Sequence, residues 1–317
     1  MTSLINKAAR LIGEGKLVAF PTETVYGIGA NALDDNACQK IYQIKGRPSN
    51  NPLIVHVSNI NEAKKYAIFN MDAEILAKFW PGPITLILPK TANCPIAKTV
   101  TANLDTIAIR MPSHPIALEL ITKAKCPIAA PSANKSGKLS ATTDKHVKNN
   151  FTDNKDLLII PKDDTKDYGL ESTIIDLTTN VPTILRFGYI TPEEISSILA
   201  KEVAISANLT KQIDTKPLAP GMLLKHYSPE TSLRLNATNL EQDEVGLNFA
   251  SSNLQGDFCL NLSKTGDLAE AAANLYSYLY QLDLYAIKNN YARIAVSLIP
   301  NTGIGLAIND RLQRASN

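Results

Sequence analysis

The stretch KGRPSNNPLIVH, residues 45–56, places two cations one residue apart on a turn that leads straight into an apolar, β-branched run. Gly46 lets the backbone approach a ligand closely, and Pro48 stiffens the turn. The run that follows has the pattern of a buried strand. A solvated loop does not need this arrangement, whereas a site that holds a polyanion does. Lys45 and Arg47 are therefore our first candidates for an anion-binding site.

Helical and β-branched segments alternate outward from this turn. Before it, Ala37, Ile41 and Ile44 form a helical stripe that Gly46 ends. Other apolar runs predict further strands, and they are KLVAFPT, PLIVHV, GPITLILPK, DTIAIRMP, PIAAPSA, LLIIP, STIIDLT and PTILRFG. Residues 1–205 are thus predicted to form one mixed α/β domain.

The pattern changes after this domain. Residues 206–230 are rich in proline and lack periodicity, which is typical of a linker, although the run MLLKHY within them is too apolar for a solvated tether. We therefore predict a lid that folds back over the first domain. Residues 231–317 contain strands around one long helix from about Leu268 to Asn289, and they predict a smaller, doubly wound α/β domain.

Composition excludes several classes of protein. The chain has 317 residues and a net charge of +2 from 32 basic and 30 acidic residues, which argues against a surface coated with basic charge for nucleic acid. No apolar run approaches the ~18 residues that a membrane span needs, and the N-terminus has the spacing of an amphipathic helix rather than a signal peptide. The four cysteines and four histidines show no metal-ligand spacing. We expect a cytoplasmic protein without a resident metal or a membrane contact.

Several segments could hold an anionic ligand. Neither YGIGANA nor TGIGLA completes a dinucleotide fingerprint, and no P-loop is present. Arg110 lies inside a probable strand, so it either pairs with an internal carboxylate or receives a ligand carboxylate. His56 lies inside another strand and is by default a core histidine.

The loop APSANKSGKLSATT suits phosphate or ribose, although a polar surface loop would look the same. PTETVYG places Thr22, Glu23 and Thr24 at the end of a strand, where ligands of α/β folds bind.

Six of these motifs resemble, in order and spacing, the YrdC-type threonylcarbamoyl-AMP synthases. They are FPTETVYGIGANA, KGRPSNNPLIVHV, FWPGPITLIL, AIRMP, APSANKSGKLSATT and LESTIID. The segments APGMLLKHYSP and GIGLAINDRLQRA resemble the long, two-domain form of that family. The resemblance implies an open, twisted α/β sheet with a basic concave face. It also implies the synthesis of threonylcarbamoyl-adenylate from L-threonine, bicarbonate and ATP, with release of pyrophosphate.

The resemblance further implies roles for individual residues. The threonine pocket would comprise Thr24, His56, Arg110, Ala130 and Ser172. ATP would be contacted by Arg47, Asn51, Thr106, Ser132, Ser140, Arg186 and Tyr227. Lys45 would lie against phosphates or the carbonate, so that Lys45 and Arg47 carry the catalysis. Mg²⁺ would arrive with ATP, and a separate enzyme system would transfer the threonylcarbamoyl group to tRNAs that read codons beginning with A.

The chain departs from the family pattern at three places: Asp164 and Thr165 replace loop glycines, Phe187 replaces a proline, and Leu223 and Leu224 replace a more polar pair. Two alternatives remain at this stage. One is a carbamoyl-transfer relative of the same fold. The other is a module that binds RNA on the basic face, and a weak contact with RNA is compatible with the main hypothesis as well.

Overall fold

The computed structural model describes residues 1–154, 157–162, 167–210 and 226–316. Its strands form a ten-stranded sheet and a four-stranded sheet. The first sheet contains β1 (Val18–Phe20), β2 (Gly27–Asn31), β3 (Ile54–His56), β4 (Ile84–Pro89), β5 (Thr106–Arg110), β6 (Ile128–Ala129), β7 (Leu158–Ile159), β8 (Thr173–Asp176), β9 (Thr183–Arg186) and β10 (Ala204–Ile205). The second contains β11 (Ser232–Arg234), β12 (Glu244–Asn248), β13 (Cys259–Asn261) and β14 (Arg293–Val296).

Helices connect and cover these strands. They are α1 (Thr2–Gly13), α2 (Asp35–Lys45), α3 (Ile60–Tyr66), α4 (Met71–Leu76), α5 (Lys98–Thr101), α6 (Pro115–Ala124), α7 (Asp144–Asn150), α8 (Pro192–Leu199), α9 (Ala207–Thr210), α10 (Leu268–Asn289) and α11 (Ile304–Ala315), with a 3₁₀ turn at Ala77–Phe79. The fold class predicted from the sequence, a large α/β sheet followed by a smaller α/β domain, is confirmed.

The turn quoted at the outset joins α2 to β3. Asp34 caps the start of α2, because its side chain accepts a hydrogen bond from the backbone N–H of Ala37. Gly46 ends the helix in the left-handed conformation, with φ of 62°, which a side chain would disfavour. The helix, turn and strand therefore follow the sequence prediction, and the turn fixes the direction in which Lys45 and Arg47 leave the helix.

The order of the large sheet, β10-β9-β8-β4-β5-β3-β6-β2-β1-β7, places the candidate strands side by side. β3 runs parallel to β5, with Ile54 opposite Ala108 and His56 opposite Arg110. Because side chains alternate along a strand, His56 and Arg110 share one face of the sheet at the same level. The register of the sheet thus brings together two residues that are far apart in the sequence.

The segment YGIGANA forms strand β2, which the sequence reading did not predict. Gly29 is required there for packing, since a Cβ atom would lie 2.6 Å from Ile128 Cγ2 and 2.7 Å from Phe20 Cε1. In TGIGLA, a Cβ atom on Gly305 would lie 1.9 Å from the carbonyl oxygen of Pro300. Close packing therefore accounts for both glycines. The short helices α5, α7 and α9 and the strands β10 and β11 were also missed.

The four strands of the second sheet are all parallel and lie in the order β11-β14-β12-β13. α10 has the bounds predicted for the long helix and buries Leu275, Leu279 and Leu282. In the described part of the chain, no helix is long and apolar enough to span a membrane. The cytoplasmic location and the boundaries at residues 205 and 230 stay predictions. The apolar run at residues 222–224 and the substitutions at Asp164 and Thr165 lie outside the described residues.

Candidate active site

A cavity of about 40 Å³ opens on the face of the large sheet that carries His56 and Arg110. Eight of the twelve different binding residues predicted from the sequence line it: Thr24, Arg47, His56, Arg110, Ala130, Ser132, Arg186 and Tyr227. Three arginines are among them. The lining therefore has the strongly basic character that a site for anionic substrates needs.

Arg110 is 4% exposed and pairs with an internal carboxylate, which was one of the two alternatives left open by the sequence. Its Nη2 atom lies 2.5 Å from Glu23 Oε1, its Nη1 atom donates to Thr24 Oγ1 at 3.1 Å, and Nε donates to the carbonyl of Gly82 at 3.3 Å. Burial alone would raise the pKa of Glu23, but the charge of Arg110 and the hydrogen bond from it hold that pKa below its usual value. Arg110 still lines the cavity, so the ion pair leaves part of the guanidinium facing the site.

Lys45 and Arg47 are buried cations held by neutral groups. Lys45 Nζ donates to the carbonyls of Ser132 at 2.7 Å and Asn134 at 2.5 Å. Arg47 Nη2 donates to Asn51 Oδ1 at 2.6 Å and to the carbonyl of Pro52 at 3.0 Å. Among the described residues, neither cation has a carboxylate partner. Burial, reinforced by the charge of Arg47, lowers the pKa of Lys45 well below its usual value, and burial lowers the pKa of Arg47 to about 10.

Arg186 ends β9 and also lines the cavity. Its Nε and Nη2 atoms donate to the carbonyl of Ser172 at 3.0 and 2.9 Å, and Nη2 also donates to the Ser172 hydroxyl at 3.0 Å. That hydroxyl lies 2.7 Å from Thr85 Oγ1 on β4. Ser172 is fully buried and does not line the cavity, and its contacts instead orient Arg186.

Glu171 is a cavity-lining carboxylate that the sequence reading did not select. Its oxygens accept from Ser140 Oγ at 2.5 Å and from Tyr276 OH at 3.1 Å, and Arg311 Nε lies 3.0 Å from Oε2. Burial would raise the pKa of Glu171, but the charges of Arg311 and Arg186 outweigh it and bring the pKa to about 2. Tyr276 and Arg311 belong to α10 and α11, so the second domain contacts the candidate site directly.

Tyr227 is 1% exposed and occupies the cavity wall beside His226. The two rings lie 4.0 Å apart, and the guanidinium of Arg311 lies 5.2 Å from the Tyr227 ring centre. Within the described part of the chain, the Tyr227 hydroxyl and His226 Nδ1 have no hydrogen-bond partner. The remaining space, about 40 Å³, has room for only a few water molecules.

The other predicted residues lie around this centre. Burial, with the nearby charge of Arg110, lowers the pKa of His56 to about 3, so its imidazole is neutral at physiological pH. The backbone N–H of Ala130 donates to Ile54 O at 2.9 Å. Asn51 is fully buried against Arg47. Thr106 begins β5, four residues before Arg110 on the same face, and does not line the cavity.

Four glutamate, histidine or arginine residues at or near the cavity were absent from the predicted set. Glu23 lies in PTETVYG and Glu171 in LESTIID, so the motifs contained them, although neither was assigned a role. His226 precedes Tyr227 in the linker. Arg311 has no local signal, because only the packing of the second domain against the first brings it to Glu171.

A basic cavity on a large α/β sheet, with a tyrosine in its wall and a second α/β domain behind it, is suited to an enzyme that acts on anionic substrates. The Sua5/YciO/YrdC family model, described as "Telomere recombination", matches residues 10–188. A second model, described as "Threonylcarbamoyl-AMP synthase, C-terminal domain", matches residues 190–317. The chain belongs to the threonylcarbamoyl-AMP synthase family, in its two-domain Sua5 form.

Individual relatives match over nearly the whole chain. A threonylcarbamoyl-AMP synthase from Pyrococcus abyssi is 42% identical over 98% of this chain and 94% of its own length. The one from Bacillus subtilis is 38% identical over 98% of this chain and 92% of its length. The crystal structure of P. abyssi Sua5 complexed with L-threonine superposes with a TM-score of 0.88 at 38% identity, covering 98% of this chain and 94% of that one.

Proposed function

We propose that this chain is an L-threonylcarbamoyladenylate synthase, a nucleotidyltransferase that joins L-threonine, bicarbonate and ATP and releases pyrophosphate. The observation that carries the proposal is the cluster of buried cations around one cavity, in a chain that matches this family along its whole length. The product is the first intermediate of threonylcarbamoyladenosine formation in tRNAs that read codons beginning with A. A downstream transfer system consumes it, and a weak contact of this protein with RNA is part of the proposal.

Arg110 is proposed to bind the threonine carboxylate. A guanidinium has five N–H donors, and three of those on Arg110 serve Gly82, Thr24 and Glu23. Two donors remain, which is the number that a bidentate carboxylate uses. His56 lies opposite Arg110 on the neighbouring strand. With Thr24 and Ala130, it would complete the amino-acid pocket, and Ser172, which does not line the cavity, would support that pocket from behind.

Lys45 and Arg47 are proposed to bind the phosphates of ATP. Their partners in the free protein are carbonyl and amide oxygens, so among the described residues no carboxylate competes with an anion for either side chain. Arg186 and Ser132 also line the cavity, so Arg186 would bring a third cation and Ser132 a hydroxyl to the nucleotide. Asn51, Ser140 and Thr106 are also assigned to the nucleotide. Like Lys45, whose ammonium contacts the backbone carbonyl of the cavity-lining residue Ser132, they do not line the cavity themselves.

The chemistry requires two unfavourable encounters. The threonine amine must attack bicarbonate to form a carbamate, with loss of water, and the carbamate oxygen must then attack the α-phosphorus as pyrophosphate leaves. Both reactants of the second step are anionic, so repulsion is the main obstacle. Fixed cations and the alignment of the two reactants can each lower such a barrier by roughly several kcal/mol. We therefore assign catalysis to charge and positioning, with Lys45 and Arg47 as the principal groups.

We propose that Mg²⁺ arrives bound to the nucleotide. The carboxylate that lines the cavity, Glu171, already accepts from Ser140, Tyr276 and Arg311. The described residues contain no group of three metal-ligating side chains. The protein side chains are thus suited to the phosphate charge that a magnesium ion leaves uncompensated.

The cavity must enlarge before ATP can enter, because its present volume of about 40 Å³ cannot hold a nucleotide. Tyr227 and His226 line the cavity, so we propose that these two side chains move aside and then close over the substrates. In the closed state Tyr227 would contact the nucleotide. Closure would also protect the carbamate and the mixed anhydride from water.

The test is pyrophosphate release by the purified full-length protein, with each substrate omitted in turn. We expect release from ATP only when both L-threonine and bicarbonate are present, with D-threonine as the matched control. Release that depends on carbamoyl phosphate instead would favour a carbamoyl-transfer relative. RNA binding without any threonine-dependent turnover would refute the proposed reaction.

A further inference from the structure

We infer that Glu23 is a positioning residue for substrate binding: it holds the guanidinium of Arg110 in the orientation that receives the carboxylate of the amino acid. This inference deepens the proposed function and rests on it. Glu23 itself does not line the cavity, so it acts through Arg110 and has no direct contact with the substrate space.

The geometry around Arg110 is over-determined. Nη1, Nη2 and Nε are each held by a different group, namely Thr24 Oγ1, Glu23 Oε1 and the Gly82 carbonyl. Thr24 Oγ1 is fixed in turn, since it lies 2.8 Å from Thr22 Oγ1, which donates to the Val25 carbonyl at 2.7 Å. The planar guanidinium therefore cannot rotate without breaking several contacts. Glu23 supplies the strongest of them, because it is the charged one.

Charge balance also requires Glu23 when the site is empty. Arg110 is almost fully buried, next to His56 and on the same face of the sheet. A buried cation without a counter-ion is costly, and in its absence Arg110 would turn toward solvent or toward Glu171 on the cavity wall. Lys45 and Arg47 differ from Arg110 in this respect. Neither has a carboxylate partner among the described residues, which leaves them suited to bind a polyanion. Glu23 thus distinguishes the carboxylate-binding arginine from the phosphate-binding cations.

The test compares threonine binding, measured by calorimetry, in the wild-type chain, Glu23→Gln, Arg110→Gln and the double variant. Glu23→Gln keeps the shape and a neutral acceptor but removes the charge. We expect about tenfold weaker threonine binding, a raised KM for threonine, and a KM for ATP and a kcat within about twofold of wild type. Glu23→Asp, which keeps the charge, should recover part of the lost affinity.

The double variant keeps the inference testable if a single variant folds poorly, because it removes both buried charges together. If Glu23 acts only through Arg110, then Arg110→Gln and the double variant bind threonine equally. Further weakening in the double variant, or unchanged threonine affinity in folded Glu23→Gln, would overturn the inference while leaving the proposed function intact. A wild-type chain that binds no threonine would overturn both.

Discussion

A substitution at Lys45 should separate the effect on substrate binding from the effect on folding stability most clearly. In Lys45→Met, two hydrogen bonds to backbone carbonyls are lost, at 2.7 and 2.5 Å, each worth about 1 kcal/mol. The variant also removes a buried cation that has no carboxylate partner among the described residues, which offsets part of this loss. We therefore expect the free energy of unfolding to change by less than about 2 kcal/mol, or a Tm change of at most about 5 °C.

The effect on the substrate should be much larger. A charge-assisted contact to phosphate is worth about 1.5–3 kcal/mol, so ATP affinity should fall by about 10- to 150-fold. Turnover should fall by about 10²- to 10³-fold, because the lost charge is the one proposed to stabilise the leaving pyrophosphate.

The assay for Lys45→Met pairs thermal unfolding with calorimetric ATP binding and pyrophosphate release. Lys40→Met is the matched control, because Lys40 lies on the same helix α2 and donates to a single backbone carbonyl, that of Gly15, at 2.7 Å. The control should retain wild-type turnover. If Lys45→Met loses its thermal stability while keeping its turnover, Lys45 is a structural residue and the anion-site interpretation of KGRP is wrong.

Three further predictions concern other parts of the site. Arg110→Lys keeps a cation beside Glu23 but loses the planar fork, so the KM for threonine should rise by about tenfold or more while the KM for ATP stays within about twofold; equal changes in both would contradict the assignment. Because burial depresses the pKa of Lys45, ATP binding at pH 8 should take up protons, and the affinity for ATP should fall as the pH rises further. Calorimetry in buffers of different ionisation enthalpy measures this proton uptake, and Lys45→Met should show none. Tyr227→Ala should weaken ATP binding or release hydrolysed intermediate, whereas Lys288→Glu on α10 should do neither; near-wild-type behaviour of both variants would mean that the linker only connects.

Local patterns predicted most of the fold. The helical stripe before Gly46 and the β-branched runs each depend on neighbours within a few residues, and the structure has the corresponding elements. The capping box at the start of α8, formed by Thr191 and Glu194, is one such local determinant. β2 was missed because its glycines look like a loop, and only contact with Phe20 and Ile128 explains them.

Long-range pairing limited the prediction of the site. The family resemblance assigned Thr24, Arg47, His56, Arg110 and Arg186 to one substrate site. In the structure they line one cavity. No sequence pattern distinguishes an arginine that faces an internal carboxylate from one that waits for a ligand. The Glu23–Arg110 pair spans 87 residues, and its existence depends on where β5 places the guanidinium. The individual roles assigned from the resemblance stay predictions.

The second domain completes the electrostatics of the cavity. Glu171 lines a space that is proposed to hold a triphosphate, and an uncompensated carboxylate there would repel the phosphates. Arg311, at 3.0 Å from Glu171, also donates to the carbonyl of Phe187 at 2.8 Å, so α11 is fastened to the end of the large sheet. The Phe187 substitution leaves this contact available, because a backbone carbonyl makes it. Arg311 neutralises Glu171 and supports the Tyr227 ring, and α11 therefore contributes to the substrate site without contacting the substrates' proposed positions.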